Sequence, residues 1–211
     1  RDAVNCKSRI IYVNAGPGTG KTHLLTSKLV EYIQASNTPQ KIVALSYTNT
    51  AANHIGEKFK EKADKAGITK EYTFYYGTLH SFCYSLLRAY NKGLEDEQTD
   101  TILDDEELFD LAEEICIQSN KKYPTKIIES ALKSRLNADD DLAQLVAEYK
   151  KKYRVISIHD ILSDFISKLS EDVQFQHWIK EHITAIAVDE AQDLSEENYI
   201  ILDKLLTLMP K

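Results

Sequence analysis

Residues 14–23, "NAGPGTGKTH", place Gly16, Pro17, Gly18 and Gly20 ahead of Lys21 and Thr22, directly after the apolar run "RIIYV" at 9–13. Residues 9 to 14 read as a buried strand, and beyond the glycines Leu24, Leu25, Leu29, Val30 and Ile33 recur at helical spacing. A strand, a glycine-rich loop and a helix opening on Lys-Thr form the P-loop arrangement, in which backbone amides and a helix N-terminus converge on phosphate oxygens. The expected ligand is a nucleotide, with Ala15, Gly16, Pro17, Gly18, Thr19, Gly20, Lys21, Thr22 and His23 around its phosphates. Lys21 is expected to reach the terminal phosphates, and the Thr22 hydroxyl to help hold Mg²⁺. The plainer reading is a flexible turn that happens to end in lysine.

The alternation continues outward from the loop. "KIVALSY" at 41–47 reads as a strand followed by a helix from about Thr50 to Ala66, and "YTFYYGT" at 72–78 as a strand followed by a helix ending near Tyr90. Strands alternating with helices imply a parallel sheet, so the fold class expected is α/β, a P-loop parallel sheet flanked by helices. The pattern stops at the acidic, turn-like "KGLEDEQTDT", residues 92–101, and everything to about Arg154 reads as helices, an inserted all-helical subdomain. A strongly amphipathic helix follows, with Ile158, Ile161, Leu162, Phe165, Ile166 and Leu169 on one stripe. The apolar strand "ITAIAV" at 183–188 then restores the sheet, and Ser195 caps a last helix. The expected division is 1–92 and 155–211 for the ATP-binding core, with 93–154 as the insertion.

Composition narrows the function classes. The chain has 211 residues, is 43% hydrophobic and 28% charged, and carries a net charge of −7, values of an ordinary globular protein and not of one that blankets nucleic acid with Lys and Arg. Cys6, Cys83 and Cys116 are an odd number with no close pair, which suggests neither a disulfide framework nor a zinc site; a reducing cytoplasm is the expected compartment. No apolar run approaches the roughly 18 residues of a membrane helix. The first residue is Arg1 and not Met, so a native N-terminus ahead of it is expected.

A phosphate site that does chemistry also needs a carboxylate for the metal and a base for the attacking water. "AVDEAQD" at 187–193 offers both: Asp189, leaving the end of an apolar strand, to orient Mg²⁺, and Glu190 to polarise water as general base. Taken alone, the pair would be a solvated strand end.

With "AGPGTGKT" and "VDEAQDLS" stand two further stretches, "ALSYTNTAA" at 44–52 and "YGTLHSF" at 76–82. In order and approximate spacing the four resemble the successive N-terminal motifs of UvrD/Rep-type superfamily 1 DNA helicases across nearly the whole chain. The resemblance implies ATP and Mg²⁺ as cofactors, and Lys21, Glu190 and Gln192 as the catalytic set, with Gln192 sensing the γ-phosphate or its attacking water. It puts Tyr47, Thr48 and Asn49 under single-stranded DNA, with Thr78, His80 and Ser81 extending the track. A stacked base is worth about 1–3 kcal/mol without any sequence code, which suits Tyr47; a place in the core is the other reading of Tyr47, and capping or packing the other reading of His80.

The sequence also departs from the family pattern. Ala15 starts the P-loop, and His23 stands where many relatives carry Arg beside the adenine. "RDAV" resembles the tail of the adenine-reading segment, and "LLTLMPK" falls just before the strand expected to carry the next motif. The chain is therefore expected to be the first motor half of an ATP-dependent 3′ to 5′ translocase, nearly inactive by itself, whose partners are single-stranded DNA, duplex junctions and a second motor domain. The basic stretches "KSRL" at 133–136 and "KKKYR" at 150–154 are candidates for duplex contact or solvated faces. A nucleotide-gated binding module that grips DNA or protein without unwinding is the competing class. A small-molecule kinase would have no need of "SYTN" or "TLHS".

Overall fold

The computed structural model describes residues 8, 10–14, 16, 18–92, 101–120, 122–133 and 138–209, and divides the chain into two compact units, Arg1–Phe82 with Lys168–Lys211, and Cys83–Ser167. The first unit holds helix α1 (Lys21–Ala35), strand β1 (Gln40–Leu45), α2 (Asn49–Lys65) and β2 (Tyr72–Gly77). After the second unit it resumes with α8 (Val173–His182), β5 (Ala185–Val188) and α9 (Glu196–Leu208). Helix α3 (Leu79–Lys92) opens in the first unit, and α7 (Ile158–Glu171) ends there.

The three strands form a parallel sheet in the order β2-β1-β5. β1 lies between the other two and is buried along its whole length except at half-buried Lys41, the near-continuous apolar run that a central parallel strand requires. Ile42 and Ala44 meet Leu29, Val30 and Ile33 of α1 and Ile55, Phe59 and Ala63 of α2 in one core. Both helices turn residues spaced by three and four toward it. Between α2 and β2 runs an aromatic row. The Phe59 ring lies 4.0 Å from Phe74 and edge-on to Tyr72 at 5.8 Å, while Tyr76 continues the row 5.6 Å from Phe74. Tyr76 fits because α2 has a glycine opposite: a methyl on Gly56 would stand 2.7 Å from the ring.

The run at 9–14 departs from expectation. Residues 11–14 form no strand, and Ile10, Ile11, Tyr12 and Val13 are exposed. Apolar residues make a strand only where a neighbour completes the hydrogen-bond ladder, and among the described residues the ladder of β5 runs to β1 alone.

The second unit contains α4 (Asp105–Gln118), α5 (Thr125–Lys133) and α6 (Asp140–Tyr153), which share a core of Leu108, Leu111, Ile115, Ile128, Leu132 and Val146. Their starts are written in the sequence. Asp104 accepts from the amides of Glu106 and Glu107 while Glu107 reaches back to the Asp104 amide, a capping box, and Asp139 caps α6 through the Leu142 amide. The insertion is not all-helical as expected: β3 (Thr101–Leu103) and β4 (Val155–Ser157) pair in parallel. Segments of three residues are too short to carry a periodic signal. Ser157 and Asp160 then cap α7 reciprocally.

The basic stretches of this unit are largely engaged internally. Lys150 is buried and donates to Asp160 Oδ2 at 2.6 Å and to the Leu132 carbonyl at 2.7 Å. Lys152 lies over the stacked rings of Tyr149 and Tyr153, and Lys133 pairs with Glu129 and Asp105. Residues 134–136 lie outside the described residues.

Phe59, 1% exposed, is the hinge of the first core. Phe59→Ala is expected to lower unfolding free energy by about 3–5 kcal/mol, measured by urea denaturation with the far-ultraviolet spectrum of the native baseline unchanged.

Candidate functional site

The register of the sheet sets three strand ends level: Leu45 lies opposite Gly77 on one side and Val188 on the other. The chain leaves these ends as Ser46-Tyr47-Thr48, Thr78 and Asp189-Glu190, and two ladder bonds continue one residue further, Ser46 N–H to the Gly77 carbonyl and Asp189 N–H to the Leu45 carbonyl. The Tyr47–Asn49, Thr78–Ser81 and Asp189–Gln192 candidates therefore follow the carboxyl edge of one parallel sheet, where open α/β sheets bind ligands.

The loop before α1 supplies the anion-binding part. Gly18 and Gly20 have φ of 73° and 88°, left-handed values that glycine adopts without strain, and the Thr19 hydroxyl closes the turn on the Gly16 carbonyl at 2.7 Å. Gly20 caps α1 with no side-chain bond, and no acidic residue stands in the first turn. The orphan amides and the positive end of the helix dipole are thus left for an external anion. Ala15 and Pro17 lie outside the described residues, and His23 is exposed.

Across from this turn stands the acidic pair at the end of β5. Lys21 Nζ lies 3.1 Å from Glu190 Oε2, and the Thr22 hydroxyl donates to Asp189 Oδ2 at 3.2 Å. Residues 167 and 169 positions apart in sequence are brought into contact. Glu190 is held in a left-handed backbone conformation, φ 52° and ψ 43°, at a cost of about 1–3 kcal/mol for a residue with a side chain. The strain turns its carboxylate toward Lys21 and Gln192, whose amide donates to Glu190 Oε2 at 2.6 Å. The following 3₁₀ turn, Ala191–Asp193, is pinned by Tyr199 of α9, whose hydroxyl donates to the Ala191 carbonyl at 2.7 Å. The Gln192 amide first, and then the Lys21 ammonium, hold the Glu190 carboxyl below its ordinary value of 4.5.

The nucleic-acid candidates occupy the β1 and β2 ends. Tyr47 is 62% exposed and not part of the core, and Thr48 and Asn49 are exposed beside it, with Thr48 capping α2 through the Ala51 amide. Thr78 and Ser81 are committed to each other: their hydroxyls lie 3.0 Å apart, each accepts from the other's amide, and the Tyr75 hydroxyl donates to Ser81. His80, between them on the first turn of α3, is half-buried.

Two neighbours of the site carried no sequence signal. The Ser46 hydroxyl is buried without a partner among the described residues. Lys62, on α2, donates to the His23 carbonyl and to the Ser27 hydroxyl at 2.6 Å in the first turns of α1. A lysine in "FKEKADK" looks like any solvated helix cation, and only the packing of α2 on α1 distinguishes this one.

An uncapped helix N-terminus, a lysine and threonine facing two carboxylates, and a parallel sheet that carries both define a RecA-like P-loop core. More particularly, the chain belongs to the UvrD/REP helicase N-terminal domain family, which matches it over residues 1–141 and 133–210. It is 28% identical to a probable DNA helicase II homolog of Rickettsia felis, over 92% of this chain and 33% of that protein. It is 23% identical to the ATP-dependent DNA helicase PcrA of Staphylococcus aureus, over 97% of this chain and 30% of that protein, and 31% identical to the ATP-dependent DNA helicase SRS2 of Saccharomyces cerevisiae, over 56% and 11%. The chain thus spans about a third or less of the length of these curated relatives. No helix among the described residues is long and apolar enough to cross a membrane.

Because the folded-state pKa of Glu190 is depressed, the pairing contributes stability above the unfolded value near 4.5, and the contribution is lost as pH falls through the lower folded value. Gln192→Leu removes the larger of the two causes. The Glu190 titration midpoint is expected to rise toward 4.5, read from its side-chain carboxyl ¹³C shift between pH 2 and 7.

Proposed function

We propose that this chain is the ATP-binding half of an ATP-driven translocase on single-stranded DNA, moving 3′ to 5′ and acting at duplex junctions together with a second motor domain. The observation that carries the reading is the joining of Lys21 and Thr22, on an uncapped helix N-terminus, to Glu190 and Asp189 at a strand end level with exposed Tyr47 and Asn49. Membership of a helicase N-terminal domain family and the names of its relatives support the same direction.

The donor set fits Mg-ATP. Amides of residues 18–22 and the Lys21 ammonium would hold the phosphates, and Thr22 with Asp189 would hold Mg²⁺, as hard oxygen donors suit that ion. When bound, the metal and its triphosphate supply a polarised phosphorus open to attack by water. Glu190 would take the proton of that water as the bond to the ADP oxygen breaks, and Gln192, already bonded to Glu190, would hold the same carboxylate. Without phosphate, Lys21 and Glu190 neutralise each other. Transfer of Lys21 to phosphate would leave Glu190 its amide partner alone and strengthen it as a base. Charge developing on the transferred group calls for a further cation, worth about 10³–10⁵ in rate in related chemistry, and the helicase resemblance implies one in the second motor domain. We therefore assign that cation to the second motor domain and rapid turnover to the two domains together. We further propose that 93–154 is the inserted subdomain and 1–92 with 155–211 the core.

Two measurements test the proposal. Lys21→Ala is expected to weaken Mg-ATP binding by about 10- to 100-fold, the loss of one charge-assisted bond, in a fluorescence titration; equal affinity for both proteins removes the nucleotide assignment. Tyr47→Ala is expected to weaken single-strand binding by about the 1–3 kcal/mol of one stacked base, with ATP affinity unchanged, measured by anisotropy on a labelled oligonucleotide in a protein that also carries the second motor domain.

A further inference from the structure

A cation beside the N-terminal turn of a helix is electrostatically misplaced, since the helix dipole is positive there. Lys62 is such a cation with respect to α1, although it also stands in the last turn of α2, where that helix's own dipole favours it. It reaches from the last third of α2 and donates to the His23 carbonyl and to the Ser27 hydroxyl at 2.6 Å. The same carbonyl also receives the Ser27 hydroxyl at 2.9 Å and the Thr26 hydroxyl at 3.1 Å. Three side-chain donors thus converge on the carbonyl one residue beyond Lys21 and Thr22.

Among the described residues no carboxylate forms a salt bridge with Lys62, and the charge of Glu61 favours its ammonium only weakly, behind burial and the charge of Lys58. The first turn of α1 has no carboxylate, and Glu61, its neighbour in sequence, is paired to Lys65 at 2.5 Å. Burial, and then the charge of Lys58, push the Lys62 ammonium below its ordinary value. An anion on the open face of the turn reverses the balance: the helix end and the ammonium then act on it with the same sign.

We propose that Lys62 is a positioning residue of the nucleotide site, one that fixes the phosphate-binding turn of α1 against α2 and adds its charge to the field that turn presents to a nucleoside di- or triphosphate. The inference rests on the nucleotide reading above. It also gives α2 a second duty. Its first residue, Asn49, lies beside Tyr47 at the β1 end, and thirteen positions later the same rigid helix grips the turn that holds phosphate. A displacement of α2 at either end is mechanically available to the other.

The test compares the wild-type chain with Lys62→Met, which keeps the apolar stem and removes the charge, with Lys62→Arg, which restores a donor and a charge, and with Lys21→Ala. Dissociation constants for Mg-ATP and Mg-ADP are read with the thermal midpoint of each protein. Lys62→Met is expected to weaken both nucleotides by about 3- to 30-fold, the span of one cation–dipole interaction. Its thermal midpoint should stay close to the wild-type value, and Lys62→Arg should recover most of the affinity. Wild-type affinity in Lys62→Met, alongside a loss in Lys21→Ala, overturns the role of Lys62 and leaves the nucleotide site standing. Loss of affinity that tracks a fall in thermal midpoint, with no recovery in Lys62→Arg, reduces Lys62 to a packing residue and also overturns the proposal. A wild-type chain that binds neither nucleotide removes the site and this inference with it.

Discussion

The register of β1 is the constraint on which the first unit depends. Leu45 has Gly77 on one side and Val188 on the other, so three loops beginning at residues 46, 78 and 189 emerge at one height. A slip of one residue in either pairing would turn every side chain of that strand to the opposite face of the sheet. It would also carry Asp189 and Glu190 away from Thr22 and Lys21, whose contacts at 3.2 and 3.1 Å tolerate almost no displacement. The two-sided burial of β1 makes such a slip costly: Ile42, Val43, Ala44 and Leu45 are all packed, so there is no solvent face to which the strand can turn. Packing of ordinary apolar residues thereby fixes the geometry of the charged ones.

Polar groups at the site are arranged in a second layer. Glu190 accepts from two donors while its own backbone is held left-handed, and the 3₁₀ turn behind it is tied to α9 by Tyr199. Strain at a non-glycine residue persists only where its surroundings over-determine it, and here the surroundings are a strand end, a 3₁₀ turn and a tyrosine hydroxyl. On the opposite side of the site, α1 is tied through His23 and Ser27 to α2. The phosphate turn and the acidic pair are therefore each anchored from behind, and the flexible element between them is side chain, not backbone.

How much of this was legible in the sequence depended on the length scale of each signal. β1, α2, β2 and α9 carry periodicity or a cap over enough residues to be read directly, and Ser195 does cap α9 through the Asn198 amide. The motifs put Lys21 and Thr22 at the opening of a helix and Asp189 and Glu190 at the end of a strand, and the fold brings the two together. The run at 9–14 shows the limit of composition. Its apolar residues satisfy every local criterion for a strand, yet pairing is a property of two segments and residues 11–14 have no ladder. β3 and β4 failed for the opposite reason, being paired but too short to show a pattern. α8 was not separated from α7, because only Asp172, which caps it through the Phe175 amide, divides two helical stretches. Lys62 was illegible in principle, since its partner is a carbonyl, which every residue has.

The internal use of the second unit's basic run has a thermodynamic consequence. Lys150 is spent on Asp160 and a carbonyl, Lys133 on two carboxylates, and Lys152 on a pair of tyrosine rings, in a chain whose net charge is −7. Affinity for a polyanion that comes from lysines laid along phosphates is driven by the entropy of expelled counterions, and it collapses as salt is added. A surface with its ammonium groups already engaged expels few. Lys133, Lys150 and Lys152 would each have to give up a contact inside the protein before displacing a counterion from a polyanion.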